Sequence, residues 1–408
     1  MFPFSMPRVH LSAKLACLCL PFVGSMTPLK AAFGAPAPDE VKVLWNSDTH
    51  DLDALVDLLP GGHGSKIREK LASHVGWIGE EDYRIAVSED GRVILVTPNE
   101  RMRKKYLSQV EKSLKFYDGL MAHPDRELAV LEEAAAEVED DIFGGAFGEV
   151  SWGTPDFVPE SEPVLLIEVD DEDCYRGLVQ SFGNVDERLQ TWVSSTASEP
   201  GFVEDHSMTA AWQSAPIGFE VGDVWRAENE MVNRLARLMV YRSYGMQPTW
   251  LRVAVAWRVE QEVVGDIYCF PSRQEFVGVG EHSGWKNPLK SQFKKRSKRP
   301  LAFDEFASWK RNSWVENKAQ LSWGVVQYLS RHKEGVLPLI AEDYRLKYLE
   351  GYRTTHEDGT YTTDPSYIVP LDDQLEVLKA YAGDDILNEL TEFFAKWKKP
   401  KAKKAKRR

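Results

Sequence analysis

The sequence predicts an α+β fold in which a small mixed sheet precedes a long helix and an all-helical part follows. Two observations indicate the sheet. Residues 84–98 form a hairpin pattern, with β-branched runs on either side of Glu89-Asp90-Gly91, and "VLLIEV" at 164–169 has the composition of a strand that is buried on both faces. Apolar residues at three- and four-residue steps from Phe303 onward indicate the helical part.

The N-terminus has the pattern of an export signal. Arg8 and Lys14 supply positive charge, residues 15–26 supply an apolar core, and the small residues of "AFG" precede Ala35. A membrane anchor is the alternative, but an apolar run of about 12 residues is shorter than the roughly 20 that a spanning helix needs. We therefore expect a signal peptide at 1–34 and a secreted or periplasmic protein.

Composition divides the rest of the chain into three predicted segments and a tail. An acidic, Ala-rich stretch (131–141) and a Gly- and Pro-rich linker (144–163) separate the first segment from the second. The expected segments are an N-terminal α+β segment (36–150), an α+β core (151–270) and a helical subdomain (271–397). Further elements are predicted as a strand at 41–45 and helices at 99–121, 173–183, 224–241 and 371–397.

The charge of the chain argues against general nucleic-acid binding. The formal net charge is −13, whereas nucleic-acid-binding proteins are basic. The stretch 286–300 holds seven Lys or Arg but few aromatic residues, so we interpret it as a solvated loop. The basic tail at 398–408 is expected to be disordered. The alternative for this tail is weak contact with an anionic polymer or membrane surface at low salt.

The stretch 228–260 predicts two helices joined by a short turn at Gly245 to Pro248. The first helix carries Asn229, Glu230 and Asn233 as N-E-x-x-N, which is the spacing of the zinc-peptidase motif H-E-x-x-H. Residues four apart lie on one helix face, so the two amides occupy the positions of the zinc-binding imidazoles. Glu230 occupies the position of the general base.

Asparagine cannot replace these histidines as a zinc ligand. Its amide oxygen is neutral and hard, its amide nitrogen does not bind metal, and zinc prefers imidazole, thiolate or carboxylate. Two amides could help to bind calcium, but the apolar face of this helix offers no carboxylate. We expect no metal and no other cofactor. A structural alternative is that Asn229 and Asn233 form local hydrogen bonds at a core margin, and that Glu230 forms a surface ion pair with Arg234.

The residues after this motif resemble those of a known family. Pro248, Trp250 and Leu251 match the P-x-W-L-x-E-G pattern that follows H-E-x-x-H in secreted bacterial gluzincin-type proteins with a peptidase-MA-like domain. The resemblance places the glutamate ligand of the family at Val253, which implies that all three zinc ligands are replaced. It rests on order and spacing and covers roughly residues 85–397.

Other parts of the chain agree with the resemblance. A strand and a helix at 163–183 precede the motif, as in the family, and "SWGVVQYL" (322–329) is similar to its aromatic-rich C-terminal helix. The stretch that holds Gly201, Phe202 and His206 would be the edge strand that lines a substrate cleft. The resemblance therefore implies a zincin-like core.

Two functional hypotheses follow. The first is an exported, catalytically inactive metallopeptidase-like protein with a binding or structural role and an unidentified peptide or protein ligand. The second is a working hydrolase that uses Glu230 as general base with an unconventional metal or none. In both, Asn229, Asn233 and Val253 converge, and Glu230 lies at the mouth of a groove beside the edge strand. Whether Cys174 and Cys269 form a disulfide stays open.

Overall fold

The structure is a computed structural model. It describes residues 42–59, 64–68, 70, 83–122, 162–185, 190–216, 225–269, 285–296, 299–308, 316–356, 361–364 and 366–397. The predicted signal peptide (1–34), acidic stretch (131–141), basic tail (398–408) and nearly all of the linker (144–163) lie outside these residues.

A mixed sheet of seven strands forms the centre of the fold. The strands are β1 (Lys42–Trp45), β2 (Asp48–Asp51), β3 (Arg84–Val87), β4 (Val93–Thr97), β5 (Val164–Val169), β6 (Gly201–Glu204) and β7 (Thr209–Gln213). Their order is β2-β1-β3-β4-β5-β7-β6. The pairs β1–β3, β4–β5 and β5–β7 are parallel, and the others are antiparallel. The predicted mixed sheet is confirmed, and it takes strands from both sides of the linker.

Twelve helices are present in the described part of the chain. They are α1 (Leu52–Leu58), α2 (Glu100–Met121), α3 (Glu172–Val185), α4 (Gln190–Thr196), α5 (Ala227–Tyr244), α6 (Thr249–Val263), α7 (Lys286–Arg296), α8 (Asp304–Ala307), α9 (Glu316–His332), α10 (Val336–Tyr352), α11 (Leu371–Ala382) and α12 (Ile386–Lys396). In this part, no helix combines the length and the apolar character needed to cross a lipid bilayer.

Local sequence signals explain the β3–β4 hairpin and the helix that follows it. Gly91 has a φ of +76°, a backbone conformation that favours glycine, and it allows the tight turn between the strands. The side chain of Asn99 accepts hydrogen bonds from the backbone N–H groups of Arg101 and Met102, at 3.0 and 3.2 Å, and so caps α2. Both elements were predicted and are confirmed.

Alternating side chains fill a core on each face of the sheet. On β4, Val93 and Leu95 point to one face, and Ile94 and Val96 point to the other. The first face packs against α2 and α5, and α6 and α9 lie behind these helices. The second face packs against α1, α3 and α4. The helices α5 and α6 therefore lie between the sheet and the C-terminal helices.

Two predictions about the C-terminal part are wrong. The part is not all-helical, because β8 (Arg353–Thr355) and β9 (Tyr361–Thr363) form a separate antiparallel pair. The stretch 286–300 is not a solvated loop, because α7 occupies most of it. Leu289 and Phe293 lie one turn apart on α7, and both are buried against α12 and its neighbours.

Candidate functional site

The motif lies on a buried helical hairpin. The first helix, α5, ends at Tyr244, and the chain reverses through Gly245, whose φ of +58° favours glycine. Pro248 occupies the position just before the second helix, α6. Both helices are buried nearly all round because they pack on each other, on α2 and on α9. Polar side chains on their facing surfaces must therefore find partners inside the protein.

Two asparagines on α5 converge on one glutamate on α6. The amide nitrogen of Asn229 donates to Oε1 of Glu260 at 2.7 Å, and that of Asn233 donates to Oε2 at 2.9 Å. All three side chains are at most 2% exposed. The spacing of four residues places both amides on one helix face, as predicted. This amide–carboxylate network joins the two helices.

The chain after α6 completes the network. The backbone N–H groups of Tyr268 and Cys269 donate to Oε1 of Glu260 at 2.6 and 3.1 Å. The carbonyl oxygen of Asp266 accepts a second hydrogen bond from Asn229, at 3.0 Å. The indole N–H of Trp257 donates to the Cys269 carbonyl at 2.6 Å and so holds the segment in place. Glu260 thus accepts from two side-chain amides and two backbone amides.

Burial changes the acidity of Glu260. Removal of the carboxylate from water raises the pKa of Glu260 to about 7, although hydrogen bonds from Tyr268, Asn229, Asn233 and Cys269 act in the opposite direction. Desolvation of the charged form therefore outweighs four hydrogen bonds. Glu260 binds and releases its proton near neutral pH, whereas an exposed glutamate does so near 4.5.

We expect this titration to appear in the stability of the protein. The pKa of Glu260 is higher in the folded state, so the folded protein binds more protons between about pH 4.5 and 7. The free energy of unfolding should therefore fall by roughly 3 kcal/mol across this window, relative to a Glu260→Gln variant. Urea unfolding of both proteins at several pH values measures the difference.

Glutamine is the suitable comparison because it preserves the network. Its oxygen can keep the three donors at the Oε1 position, and Asn233 can rotate its amide to accept from the new N–H₂ group. A wild-type protein whose stability relative to the variant does not change with pH would contradict the assigned pKa of Glu260.

Val253 is not the third residue of this site. The prediction that Val253 meets Asn229 and Asn233 is corrected by the two hydrogen bonds to Glu260. Glu260 lies seven residues further along α6, which is about 10.5 Å along the helix axis. A carboxylate therefore stands opposite the two amides, but it lies outside the P-x-W-L-x-E-G pattern, whose glutamate position is occupied by Val253.

The other motif residues on α6 belong to the core. Leu251 is fully buried, and the Trp250 indole donates to Oε1 of Gln374 at 3.0 Å. The Trp250 ring also packs edge-on against Phe306, with ring centroids 5.2 Å apart. These contacts fix α6 against the C-terminal helices and face away from the two asparagines.

A signal for Glu260 was present in the sequence. The predicted turn runs from Gly245 to Pro248, and Asn233 lies 12 residues before it (245 − 233). Glu260 lies 12 residues after it (260 − 248). In an antiparallel helical hairpin, residues equally far from the turn face each other. This count identifies Glu260, an acidic residue on a helix that is otherwise mostly apolar.

Glu230 does not line an open groove. It is 0% exposed, and its Oε2 accepts from the Arg234 guanidinium at 2.9 Å. The same oxygen accepts from the Cys269 thiol at 3.0 Å. Burial raises the pKa of Cys269 to about 12, so this thiol stays protonated and acts as donor. The expected surface ion pair is therefore a buried one, and the expected position at the mouth of a groove is corrected.

The predicted edge strand is β6, but its three predicted residues do not all face the same side of the strand. Gly201 faces α5, where a side chain would meet the Arg234 guanidinium. Phe202 points to the opposite face of the sheet and packs against the rings of Phe182 and Trp192. His206 follows the strand, and its Nδ1 lies 3.2 Å from the Tyr241 hydroxyl. Only the first and last of these residues face the motif helix.

An ion pair ties the β6–β7 turn to α6. The carboxylate of Asp205 accepts two hydrogen bonds from the Arg252 guanidinium, one of them at 2.7 Å. Burial alone would raise the pKa of Asp205, but Arg252, Arg237 and His206 lower it below its usual value. The Arg234 side chain and this pair therefore lie in the space between the edge strand and the helices.

Substitution of Gly201 tests how tightly the space between the edge strand and α5 is packed. A Cβ atom there would lie 2.6 Å from the Ala211 carbonyl oxygen and 2.6 Å from Nη2 of Arg234. We expect Gly201→Ala to lower the free energy of unfolding by roughly 1–3 kcal/mol, because backbone and guanidinium must move apart. Gly119, on α2, has open space at this position, so Gly119→Ala should raise stability by about 0.5–1 kcal/mol in the same unfolding assay. Equal effects of both substitutions would contradict a closed cleft.

The described residues contain no group of three or more His, Cys, Asp or Glu side chains that could hold a metal ion. The atoms at the site that could act as metal ligands are the oxygens of Glu260 and of the two asparagines. Cys174 and Cys269 form no disulfide in the described part of the chain. The chain matches no protein-family model, and no curated protein matches it.

Proposed function

We propose that this chain is an exported protein with a peptidase-like frame that does not hydrolyse peptides and acts through binding or as a structural component. The ligand in this proposal is a peptide or protein. The resemblance of N-E-x-x-N and P-x-W-L to the gluzincin-type pattern supports the frame. The edge strand β6 beside α5 and the carboxylate on the next helix are in keeping with such a frame.

The observation that carries the proposal is the direct contact between the amides and Glu260. Zinc ligands lie about 2.0–2.2 Å from the ion, which places tetrahedral donor atoms roughly 3.3–3.6 Å apart. The amide nitrogens of Asn229 and Asn233 lie 2.7 and 2.9 Å from the carboxylate oxygens of Glu260. Hydrogen atoms occupy the space between these atoms. These distances leave no room for an ion between the amides and the carboxylate, which supports a role without metal chemistry.

The surroundings of Glu230 favour this proposal over a working hydrolase. A general base must reach the proton that it removes, directly or through one water molecule. Glu230 is fully buried and accepts from Arg234 and Cys269. Substrate could reach it only if these contacts opened.

The N-terminal pattern supports the exported location. Arg8 and Lys14, the apolar run and the small residues before Ala35 fit a cleaved signal. We expect the mature protein to begin at Ala35, which intact-mass measurement of the exported chain would show. A mature mass that includes residues 1–34 would contradict export by cleavage.

Hydrolysis assays test the non-catalytic role. Purified protein, with added zinc and with EDTA, is incubated with a mixture of fluorogenic peptides. We expect no hydrolysis above that of a Glu230→Gln variant. The matched control is Glu262→Gln, since Glu262 is half exposed on α6 and outside the network. Cleavage that Glu230→Gln abolishes and Glu262→Gln preserves would establish the hydrolase instead.

A further inference from the structure

A cleft lies between the C-terminal end of α9 and the helix α12, on a part of the fold that the α5–α6 network does not involve. Its volume is about 650 Å³, which is within the range of about 300–1,000 Å³ that is typical of small-ligand sites. The residues that line this α9–α12 cleft are Tyr328, Arg331, His332, Asp385, Glu389, Glu392, Phe393, Lys396 and Trp397.

Four aromatic rings form one wall of the cleft. Tyr328 and His332 stack with centroids 5.0 Å apart, and Phe393 meets both rings at 5.0 and 5.3 Å. Trp397 continues the wall at 4.6 Å from Phe393. Trp397 and Tyr328 are less than 10% exposed, so the wall is anchored in the core. Such a surface offers a flat apolar ligand a place to stack.

The carboxylates in the cleft already have partners. Glu389 accepts from the Tyr328 hydroxyl at 2.6 Å and from the Lys333 ammonium at 2.9 Å, and these two contacts lower the pKa of Glu389. Glu392 pairs with Lys396 at 2.8 Å. Asp385 accepts from the Asn388 amide. Two of these three carboxylates are therefore paired with a lysine, and Asp385 is bonded to a neutral amide.

Arg331 lacks such a partner. Within the described residues its guanidinium forms no hydrogen bond and no ion pair. The nearby guanidinium of Arg258 is itself paired with Glu262 at 2.8 Å. Partial burial and the charge of Arg258 lower the pKa of Arg331, and the carboxylate of Glu262 offsets this effect only in part. A guanidinium without a hydrogen-bond or ion-pair partner is suited to bind a planar carboxylate through two parallel hydrogen bonds.

We propose that the α9–α12 cleft binds an aromatic ring that carries a carboxylate, with the ring on the aromatic wall and the carboxylate on Arg331. This chemistry has two sources: a free aromatic acid, and the C-terminal residue of a peptide that ends in an aromatic side chain. The site is independent of the α5–α6 network and of any hydrolytic activity.

Calorimetric titration of the full chain tests this proposal. The probes are N-acetyl-phenylalanine and its neutral amide, which differ only in the carboxylate, together with phenylacetate as a free aromatic acid. We expect the acid to bind at least about tenfold more tightly than the amide, a difference of ~1.4 kcal/mol. The preference should weaken as salt increases. Stronger binding of N-acetyl-phenylalanine than of phenylacetate indicates a peptide terminus, and the reverse indicates a free acid.

Substitutions locate the site. Arg331→Gln should remove the preference for the acid, whereas Phe393→Leu should weaken acid and amide alike. Arg101→Gln, at an exposed arginine on α2, should change neither. Circular dichroism confirms that each variant is folded, and Arg331 is exposed enough to be replaced without loss of packing. Equal affinity for acid and amide, no binding of either, or a preference that survives Arg331→Gln would overturn the proposal.

Discussion

Replacement of Glu260 by alanine is expected to lower the free energy of unfolding by roughly 4 kcal/mol at neutral pH. The substitution leaves four buried donors without their acceptor: two asparagine amides and the N–H groups of Tyr268 and Cys269. Each buried donor without an acceptor costs about 1–3 kcal/mol. Relief of the buried carboxylate, whose pKa is raised to about 7, offsets part of this loss.

Glu262 provides the matched control for this measurement. It lies two residues further along α6 and pairs with Arg258, and its side chain is 51% exposed. Glu262→Ala should cost about 1 kcal/mol, because the Glu262 carboxylate is half exposed to water, which weakens its pair with the mostly buried Arg258. Urea unfolding of both variants gives the comparison. If Glu260→Ala destabilised the protein no more than Glu262→Ala, the network would not hold the two helices together.

The second prediction with a large expected effect is that a double variant gains the ability to bind zinc. Asn229→His combined with Asn233→His places two imidazoles four residues apart on α5, opposite the carboxylate of Glu260. Two histidines and one glutamate are the ligand types of the resembled motif, although the glutamate here comes from a different position. We expect the double variant to bind zinc with a Kd of about 1 μM or tighter. The wild type should show no such binding, because amide N–H₂ groups repel a cation. Titration with a competing zinc indicator measures both affinities.

Two controls distinguish a preorganised three-ligand zinc site from chelation by any two histidines that lie four residues apart on a helix. Asn388→His with Glu392→His puts an identical pair on the exposed face of α12, where we expect affinity at least about tenfold weaker. Addition of Glu260→Gln to the Asn229 and Asn233 double variant should weaken zinc binding, because it removes the third ligand. A folded double variant that binds zinc no more tightly than the surface pair would contradict a zinc-peptidase-like frame.

Local signals predict much of the fold, because each element carries its own pattern. The helix α2 has an asparagine cap and a continuous apolar stripe, and β5 is apolar except for Glu168 and is buried on both faces. The helix α7 was missed because its apolar face is only Leu289 and Phe293 among many lysines. The strands β8 and β9 were missed because three residues each are too few to show alternation.

The candidate site was less predictable, since it depends on which surfaces meet. The sequence predicts that Asn229 and Asn233 share a face, but the residue opposite them is set by how α6 folds back. Motif spacing pointed to Val253, whereas the geometry of the hairpin selects Glu260. Likewise, the pair of Glu230 and Arg234 follows from helix spacing. Its burial follows from the packing of β6 and of the chain around Cys269, which no local pattern encodes.

Metal analysis of the wild-type chain tests the central claim most directly. The protein is purified without chelators, dialysed against metal-free buffer and examined by elemental mass spectrometry, and its thermal unfolding is recorded with and without EDTA. Because the amides of Asn229 and Asn233 and the backbone N–H groups of Tyr268 and Cys269 satisfy Glu260, we expect no stoichiometric metal and an unfolding temperature that EDTA does not change. One zinc or other divalent ion per chain, retained through dialysis and needed for stability, would contradict the claim.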